Sequence, residues 1–274
     1  MCSSVIPPHI NWLIDKGERS HTADGKEILI LEFQHKKDNS ILSAWATHFR
    51  NHYCLDSEID LLIGGTDKTK RQYLIDTKFP DETIKPGPSI RSGDFAEILV
   101  SDYIEYLLNY DVPRTRYIAK TIRNESTKGS DVIGFKIISP MKPSLNDEMI
   151  IFEVKATLSN KGAKNRLQNA VNDSKKDEVR QGESLNAIKN RYITAHQLDS
   201  AKKIARFQDK VGNPYIEKSG AAAVLEKIVF NNSDFSTTDI SGHYNKENLF
   251  LIIITGEQMM NLVHALYRRA ADEA

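Results

Sequence analysis

Two acidic residues and a lysine lie on two predicted neighbouring strands, where their charges need compensation. Residues 131–138 and 149–156 are strand-like and flank a stretch rich in Pro, Asn and Asp, which predicts an antiparallel pair. Side chains alternate faces along a strand, so Glu153 and Lys155 project from the same face. Taking an ion out of water costs on the order of several kcal/mol even after relaxation. A divalent cation bound by Glu153 and by Asp131, at the start of the partner strand, would compensate these charges.

A third carboxylate comes from a predicted helix that begins near Asp94 and ends before Pro113. The helix has one apolar face and carries Glu97. Hard oxygen ligands favour Mg²⁺ or Mn²⁺ over zinc. With Asp131, Glu153 and Glu97 as ligands, Lys155 would orient and help to deprotonate the attacking water and counter the charge that builds on a phosphate. This set of residues predicts metal-dependent hydrolysis of phosphodiester bonds.

The same residues resemble a known family of nucleases. Glu97, Gly129-x-Asp131 and Glu153-x-Lys155 resemble the PD-(D/E)xK restriction-endonuclease-like nucleases, although Gly-Ser-Asp stands in place of Pro-Asp. The segments GDFAEILVSDYIEYLL, GSDVIGFKI and FEVKAT are similar to the HamA nuclease subunits of Hachiman antiphage systems, most clearly over residues 90–157. The resemblance implies a metal-dependent DNA nuclease effector. It also implies a HamB-like helicase partner that binds DNA and restrains the nuclease.

Each of these residues also has a purely structural interpretation. Glu153 and Lys155 could form a salt bridge on one face of the sheet. Glu97 lies three residues after Asp94, which is capping-box spacing, and could serve a helix start. Asp131 could cap the turn that precedes it. The apolar strand, the upstream Gly-x-Asp and the acidic helix together favour the functional interpretation.

A second pattern imitates the motif. Asp60 is followed by Asp76-x-Lys78 at the end of a predicted strand, but the helix before it, residues 41–53, carries no acidic residue. We therefore expect the site at Glu153. Two histidines lack partners at ligand spacing and are expected to be ordinary polar-face or packed residues: His196 and His264.

The pattern predicts an α/β protein in two parts. Residues 1–88 are expected to form a smaller N-terminal α/β unit, with strands at 26–34, 58–63 and 72–76 and a helix at 41–53. The Pro/Gly-rich residues 84–93 mark the boundary to a nuclease-like domain, residues 89–274. That domain is expected to contain strands at 116–122 and 248–254, a helix at 194–210 and a final helix that ends at Arg269. Residues 222–230 could form either a helix or a strand. This order of elements predicts a restriction-endonuclease-like mixed sheet flanked by helices.

Charge is balanced overall and uneven in one segment. Lys plus Arg and Asp plus Glu number 37 each, so attraction to nucleic acid must be local or partner-delivered. Residues 160–191 carry eight cations and four anions. They form either a solvated flexible loop or a surface for phosphates or a partner. The candidate contact residues are Lys161, Lys164, Arg166, Lys175 and Lys176.

Cysteine usage and hydropathy set the expected compartment. Cys2 and Cys54 stand alone, which favours a reducing, cytoplasmic setting, and no apolar run is long enough to span a membrane. Two other functions stay open from the sequence. One is a catalytically inert subunit that docks a helicase or senses nucleic acid, and the other is an RNase or junction-specific nuclease with the same site.

Overall fold

A computed structural model describes residues 5–160, 162 and 165–274. Within them, six strands form one mixed sheet in the order β1-β2-β6-β5-β4-β3. The inner strands β2, β6, β5 and β4 are parallel, and the edge strands β1 and β3 run antiparallel to their neighbours. The predicted α/β class with a mixed sheet is confirmed. The strands are β1 (Leu13–His21), β2 (Glu27–Phe33), β3 (Val132–Lys136), β4 (Glu148–Thr157), β5 (Ile216–Glu226) and β6 (Leu249–Gly256).

Helices cover both faces of this sheet. Short π-helical turns follow α3 and α4, at Leu74–Lys78 and Tyr103–Leu107. No helix in the described ranges is both long enough and apolar enough to cross a membrane. The helices are α1 (Asn39–Asn51), α2 (Ile59–Ile63), α3 (Lys70–Tyr73), α4 (Gly87–Asp102), α5 (Arg166–Ser174), α6 (Asp177–Thr194), α7 (Leu198–Gln208), α8 (Asn232–Phe235) and α9 (Met259–Asp272).

The two helix layers receive alternate side chains of β4. Phe152 and Val154 join the apolar cluster that contains α1, α4 and α9. Met149 and Ile151 join a cluster with α6 and α7 on the other face. Because the side-chain period of a strand is two residues, Glu153 projects toward the layer of α5 and α6. The helix α4 therefore packs on the opposite face of the sheet from the Glu153 side chain.

Close packing between β4 and β5 depends on a glycine. Gly220 lies opposite Phe152 in the parallel register. A Cβ atom at Gly220 would lie 2.4 Å from the Phe152 ring, which is closer than real Cβ contacts. The missing side chain lets the aromatic ring lie over β5 and keeps both faces of β4 filled.

Three predicted strands are wrong. Residues 58–63 and 72–76 lie in helices, where Ile59 and Leu74 are buried while Leu61 and Leu62 stay exposed. Short apolar runs fit either secondary structure, and here each segment buries only one side. Residues 116–122 form turns and bends rather than a strand, and the side chain of Arg116 contacts two carboxylates.

Several predicted helix boundaries also change. The helix expected from Asp94 begins at Gly87, with Pro88 in its first turn, so Glu97 lies in the helix interior and its capping interpretation is wrong. Residues 166–191 of the basic segment are not a flexible loop, because they form α5 and most of α6. The helix predicted over 194–210 is α7 alone, and the ambiguous residues 222–230 continue β5 to Glu226.

The predicted N-terminal unit shares its sheet with the rest of the chain. Strands β1 and β2 precede the boundary expected near residue 88, and β2 pairs in parallel with β6 near the C-terminus. Trp45 of α1, Phe95 of α4 and Leu266 of α9 belong to one apolar cluster. Residues from both sides of the predicted boundary thus build one sheet and one core.

Candidate active site

The β3–β4 pairing brings two of the predicted acids together. Val132 pairs with Phe152, so extending the register by one residue places Asp131 opposite Glu153. The carboxylate of Asp131 is fixed by the neighbouring strand, since its Oδ2 accepts a 2.9 Å hydrogen bond from the N–H of Val154. The antiparallel pair predicted from the sequence is confirmed, and it positions both carboxylates at one end of the hairpin.

Lys155 lies on the same face as Glu153 but is bound more closely by another residue. Its Nζ is 3.8 Å from Glu153 Oε2 and 2.7 Å from Asp173 Oδ2 on α5. Although burial opposes it, the hydrogen bond to Asp173 raises the pKa of Lys155, together with the charges of Asp131 and Glu153. Lys155 is therefore an ammonium group held beside the acids rather than a simple partner of Glu153.

Glu97 reaches Asp131 through an arginine. Arg116 Nε lies 2.9 Å from Glu97 Oε2, and Arg116 Nη2 lies 2.9 Å from Asp131 Oδ1. The hydroxyl of Tyr117 donates a 2.5 Å hydrogen bond to Glu97. Since α4 covers the opposite face of the sheet from Glu153, the guanidinium of Arg116 joins the two sides at the end of β3.

A further carboxylate, absent from the sequence prediction, lies beside Glu153. Arg180 on α6 is 2.7 Å from Glu153 Oε1 and 3.0 Å from Asp177 Oδ1. Ser130 donates a 2.7 Å hydrogen bond to Asp177 Oδ1, whereas the buried Asp177 Oδ2 has no hydrogen-bond partner among the described residues. The i, i+3 spacing of Asp177 and Arg180 was the available signal, and the mixed charges of the segment concealed it.

The buried acids of the site favour their protonated forms, because burial disfavours a charged carboxylate. Burial raises the pKa of Glu153 to about 9, and repulsion from Asp131 and Asp177 adds to the shift. Burial raises the pKa of Asp177 to about 6. On the other side, burial raises the pKa of Glu97 to about 8, although Arg116 opposes this. An additional cation would be stabilised where these carboxylates lie.

Each of two guanidinium groups contacts a pair of carboxylates: Arg116 contacts Glu97 and Asp131, and Arg180 contacts Glu153 and Asp177. Among the residues that the structure describes, one group of His, Cys, Asp and Glu brings three ligand atoms within 4.8 Å of one another: His9, His48 and Asp102. Both histidines contact the Asp102 carboxylate at 2.9 Å through Nε2, and Arg114 contacts it at 2.7 Å. That group is a hydrogen-bonded charge network, and a cation shared by Glu97, Asp131 and Glu153 stays a prediction.

The second motif-like pattern does not build a comparable site. Asp60 and Asp76 lie on helical segments with exposed side chains, and they pair with Lys70 at 3.0 Å and Lys68 at 3.3 Å. The strand end expected before Lys78 is therefore absent from this described segment. Surface ion pairs of this kind contribute little to stability. The alternative site at Asp76 is wrong.

The remaining predicted residues have ordinary surroundings or lie outside the description. His264 contacts Arg91, and His196 is exposed where α6 ends. Arg166 donates a 2.7 Å hydrogen bond to the Thr157 hydroxyl, and Lys176 pairs with Asp173 at 2.6 Å. A contact of these residues and Lys175 with nucleic acid or a partner stays a prediction. The positions outside the described residues are Cys2, Lys161 and Lys164.

Comparison with known proteins identifies the family. The model of the HamA family matches residues 8–270 of the 274-residue chain. A search of curated proteins gives no match. The family match confirms the resemblance to HamA that is clearest over residues 90–157, and it extends over both parts of the chain that the sequence suggested. The chain belongs to the HamA family and is a component of a Hachiman antiphage defence system.

Proposed function

We propose that this chain is the DNA nuclease effector of its Hachiman system and hydrolyses phosphodiester bonds with a Mg²⁺-activated (or Mn²⁺-activated) water. The observation that supports this most directly is the β3–β4 pairing, which sets Asp131 opposite Glu153 with Lys155 on the same face. Carboxylates and an amine at one strand end are the groups that this reaction requires.

The donor set fits a hard divalent cation. Asp131, Glu153 and Asp177 supply only oxygen atoms, and Asp177 Oδ2 is buried without a hydrogen-bond partner in the described ranges. Burial raises the pKa of Glu153, and repulsion from Asp131 and Asp177 adds to the shift, so a cation bound here would favour the charged carboxylate. Asp131 and Glu153 would hold the metal with Asp177 beside them, and Glu97 would support it through Arg116. When bound, Mg²⁺ lowers the pKa of a water and polarises a phosphoryl oxygen.

The protein's own cations would handle charge on the substrate. Lys155 stays protonated because Asp173 binds it at 2.7 Å, so it orients water and stabilises negative charge on phosphoryl oxygens. Arg180 holds Glu153 in place at 2.7 Å. The further expectation that Lys155 helps to deprotonate the water stays a prediction.

The charge balance supports control by a partner. With 37 cations and 37 anions, the chain has no net charge to attract DNA over a distance. We therefore propose that a HamB-like helicase subunit delivers DNA and restrains cleavage. We place this activity in the cytoplasm, where the buried Cys54 stays a free thiol.

Cleavage assays with the full chain test the proposal. Purified protein, alone and with the helicase subunit, is incubated with duplex, single-stranded and branched DNA and with RNA, in Mg²⁺, Mn²⁺ or EDTA. We expect metal-dependent DNA cleavage that Glu153→Gln combined with Lys155→Met lowers about 100-fold or more, with folding retained in circular dichroism.

The control and the opposing outcomes are defined by the same assay. Glu178→Gln changes an exposed acid on α6 next to the site and should cleave as the wild type. Undiminished cleavage by the double variant would defeat the assignment of Glu153 and Lys155. Cleavage of RNA or junctions alone would identify the other nuclease class. No cleavage under any condition, with a stable helicase complex, would identify an inert docking subunit.

A further inference from the structure

A small basic cleft lies next to Asp131, between α6 and residues 112–117. Its cavity volume is about 50 Å³. That volume admits several water molecules or one tetrahedral anion, and it is too small for a nucleobase. The charged side chains that line it are Arg114, Arg116, Lys128, Arg191 and Asp131.

Two of these cations are already neutralised and two are not. Arg114 is 2.7 Å from Asp102, and Arg116 is 2.9 Å from both Glu97 and Asp131. Within the described part of the chain, neither Lys128 nor Arg191 has a carboxylate within 4.0 Å.

The half-buried position of Arg191 makes its unpaired charge costly. Burial lowers the pKa of Arg191, and repulsion from Arg116 adds to this effect. A guanidinium removed from water without a counter-ion is destabilising, so an anion in the cleft would stabilise the site.

An uncharged side chain in the cleft also indicates an anionic ligand. Thr115 lines the cleft, and its hydroxyl oxygen is buried without a hydrogen-bond partner among the described residues. Buried hydroxyl groups are normally hydrogen-bonded, and an exception calls for an explanation. Threonine hydroxyl groups and arginine guanidinium groups together are common donors to phosphate oxygens.

We infer that this cleft binds a backbone phosphate of the nucleic-acid substrate adjacent to the bond that is cut, with Arg191 and Lys128 as its charged contacts. The inference rests on the proposed nuclease function, because Asp131 lies both in the cleft wall and opposite Glu153. The guanidinium of Arg191 can bind a phosphate through two hydrogen bonds, whereas Lys128 supplies a point charge. Recognition of this kind positions the strand without reading its sequence.

Binding measurements test this inference separately from catalysis. Fluorescence anisotropy of a labelled DNA duplex is recorded across a salt series with Ca²⁺ in place of Mg²⁺, and again in EDTA. Arg191→Gln and Lys128→Gln should each weaken binding about 3- to 10-fold, and each should reduce the slope of log affinity against log salt by about one. Cleavage by the same variants is measured in parallel in Mg²⁺, so that lost cleavage and lost binding are told apart.

A matched control and a competition experiment complete the test. Arg268→Gln removes the same charge from an exposed position on α9 and should leave affinity and salt slope within twofold of wild type. An unlabelled oligonucleotide should displace the duplex far more effectively than inorganic phosphate does.

Three outcomes would overturn the inference. The first is wild-type affinity and salt slope in the Arg191→Gln, Lys128→Gln double variant, and the second is a wild-type chain that binds no DNA alone and adds nothing to the DNA affinity of the helicase subunit. The third is a phosphate-induced rise in melting temperature that Arg191→Gln abolishes while DNA binding stays unchanged, which would identify a site for free phosphate instead.

Discussion

Arg180 on α6 donates a 2.7 Å hydrogen bond to Glu153 on β4. The same nitrogen lies 3.0 Å from Asp177, so one guanidinium holds two buried carboxylates together. Arg180 belongs to a segment whose sequence is typical of a charged loop, and it stabilises Glu153 at the end of a central strand. Any metal that binds Glu153 has to share the carboxylate with Arg180 or displace it.

Removal of this guanidinium should destabilise the fold and favour metal binding. Breaking a buried ion pair costs about 3–5 kcal/mol, and because Arg180 is 31 % exposed we expect Arg180→Gln to lower the free energy of unfolding by about 1–3 kcal/mol. Added Mn²⁺ should then raise the stability of the variant more than that of the wild type, because the carboxylates lack their competing cation. Urea unfolding with and without Mn²⁺ measures both effects.

The control for Arg180 is a surface pair. Lys202→Gln removes a cation whose pair with Asp199 is 79 % and 95 % exposed, and its stability should stay within about 0.5 kcal/mol of wild type. If Arg180→Gln had the stability of Lys202→Gln and the same response to Mn²⁺ as wild type, the guanidinium would not be holding a cation site.

Asp177 should matter for cleavage as well as for structure. Asp177→Asn keeps the size of the side chain and its hydrogen bond from Ser130, but it removes one negative charge beside Glu153. We expect a DNA cleavage rate about 10- to 100-fold lower, as for other groups that support metal ligands. The rate is measured under single-turnover conditions at several Mg²⁺ concentrations. A rate equal to that of the exposed neighbour variant Glu178→Gln would show that Asp131 and Glu153 suffice.

The sequence predicted which candidate residues lie together where its signals were local. Asp131, Glu153 and Lys155 lie on one hairpin, and the alternation of side chains fixes which of them share a face. By contrast, Asp177 and Arg180 reach the hairpin from α6, and only the packing of Leu185 and Ile188 on β3 and β4 decides that contact. The sequence of a segment with mixed charges gives little indication of tertiary contacts of this kind.

The sequence likewise predicted the strands that have local signals and missed those that depend on pairing with distant residues. The mixed sheet was predicted from the order of helix-like and strand-like segments, and the apolar residues 149–152 of β4 and 249–254 of β6 indicated buried strands. The strand β1 was missed, since six of its nine residues are exposed polar or glycine residues and only its pairing with β2 makes it a strand. The pairing of β2 with β6 joins residues more than 200 positions apart, which no local pattern encodes.

The network around Asp102 should be essential to stability. Its carboxylate is fully buried and contacts His9 and His48 at 2.9 Å and Arg114 at 2.7 Å. Asp102→Asn leaves Arg114 without this counter-charge, so we expect a loss of about 3–5 kcal/mol in urea unfolding. Asp199→Asn, in an exposed pair, is the control and should change stability by less than about 0.5 kcal/mol. Equal effects of the two variants would contradict a structural role for the network.

His243 should make the fold sensitive to mild acid. Its Nδ1 accepts a 3.1 Å hydrogen bond from the N–H of Asn245, so the neutral ring carries its proton on Nε2, which lies 2.9 Å from the Ser174 hydroxyl. Burial lowers the pKa of His243 to about 4, and repulsion from Lys175 contributes. The folded state therefore favours the neutral ring.

The direction and size of the pH effect follow from the two pKa values of His243. In the unfolded chain its pKa is about 6.5, so between pH 6.5 and 4 the unfolded state binds the proton and the folded state does not. Its contribution is fully present above pH 6.5 and is lost as the pH falls toward 4, by about 3 kcal/mol in total. His243→Gln cannot titrate, so its free energy of unfolding should fall less steeply over this range. His196→Gln, at an exposed histidine, should follow the wild type, and parallel curves for all three proteins would refute the assignment to His243.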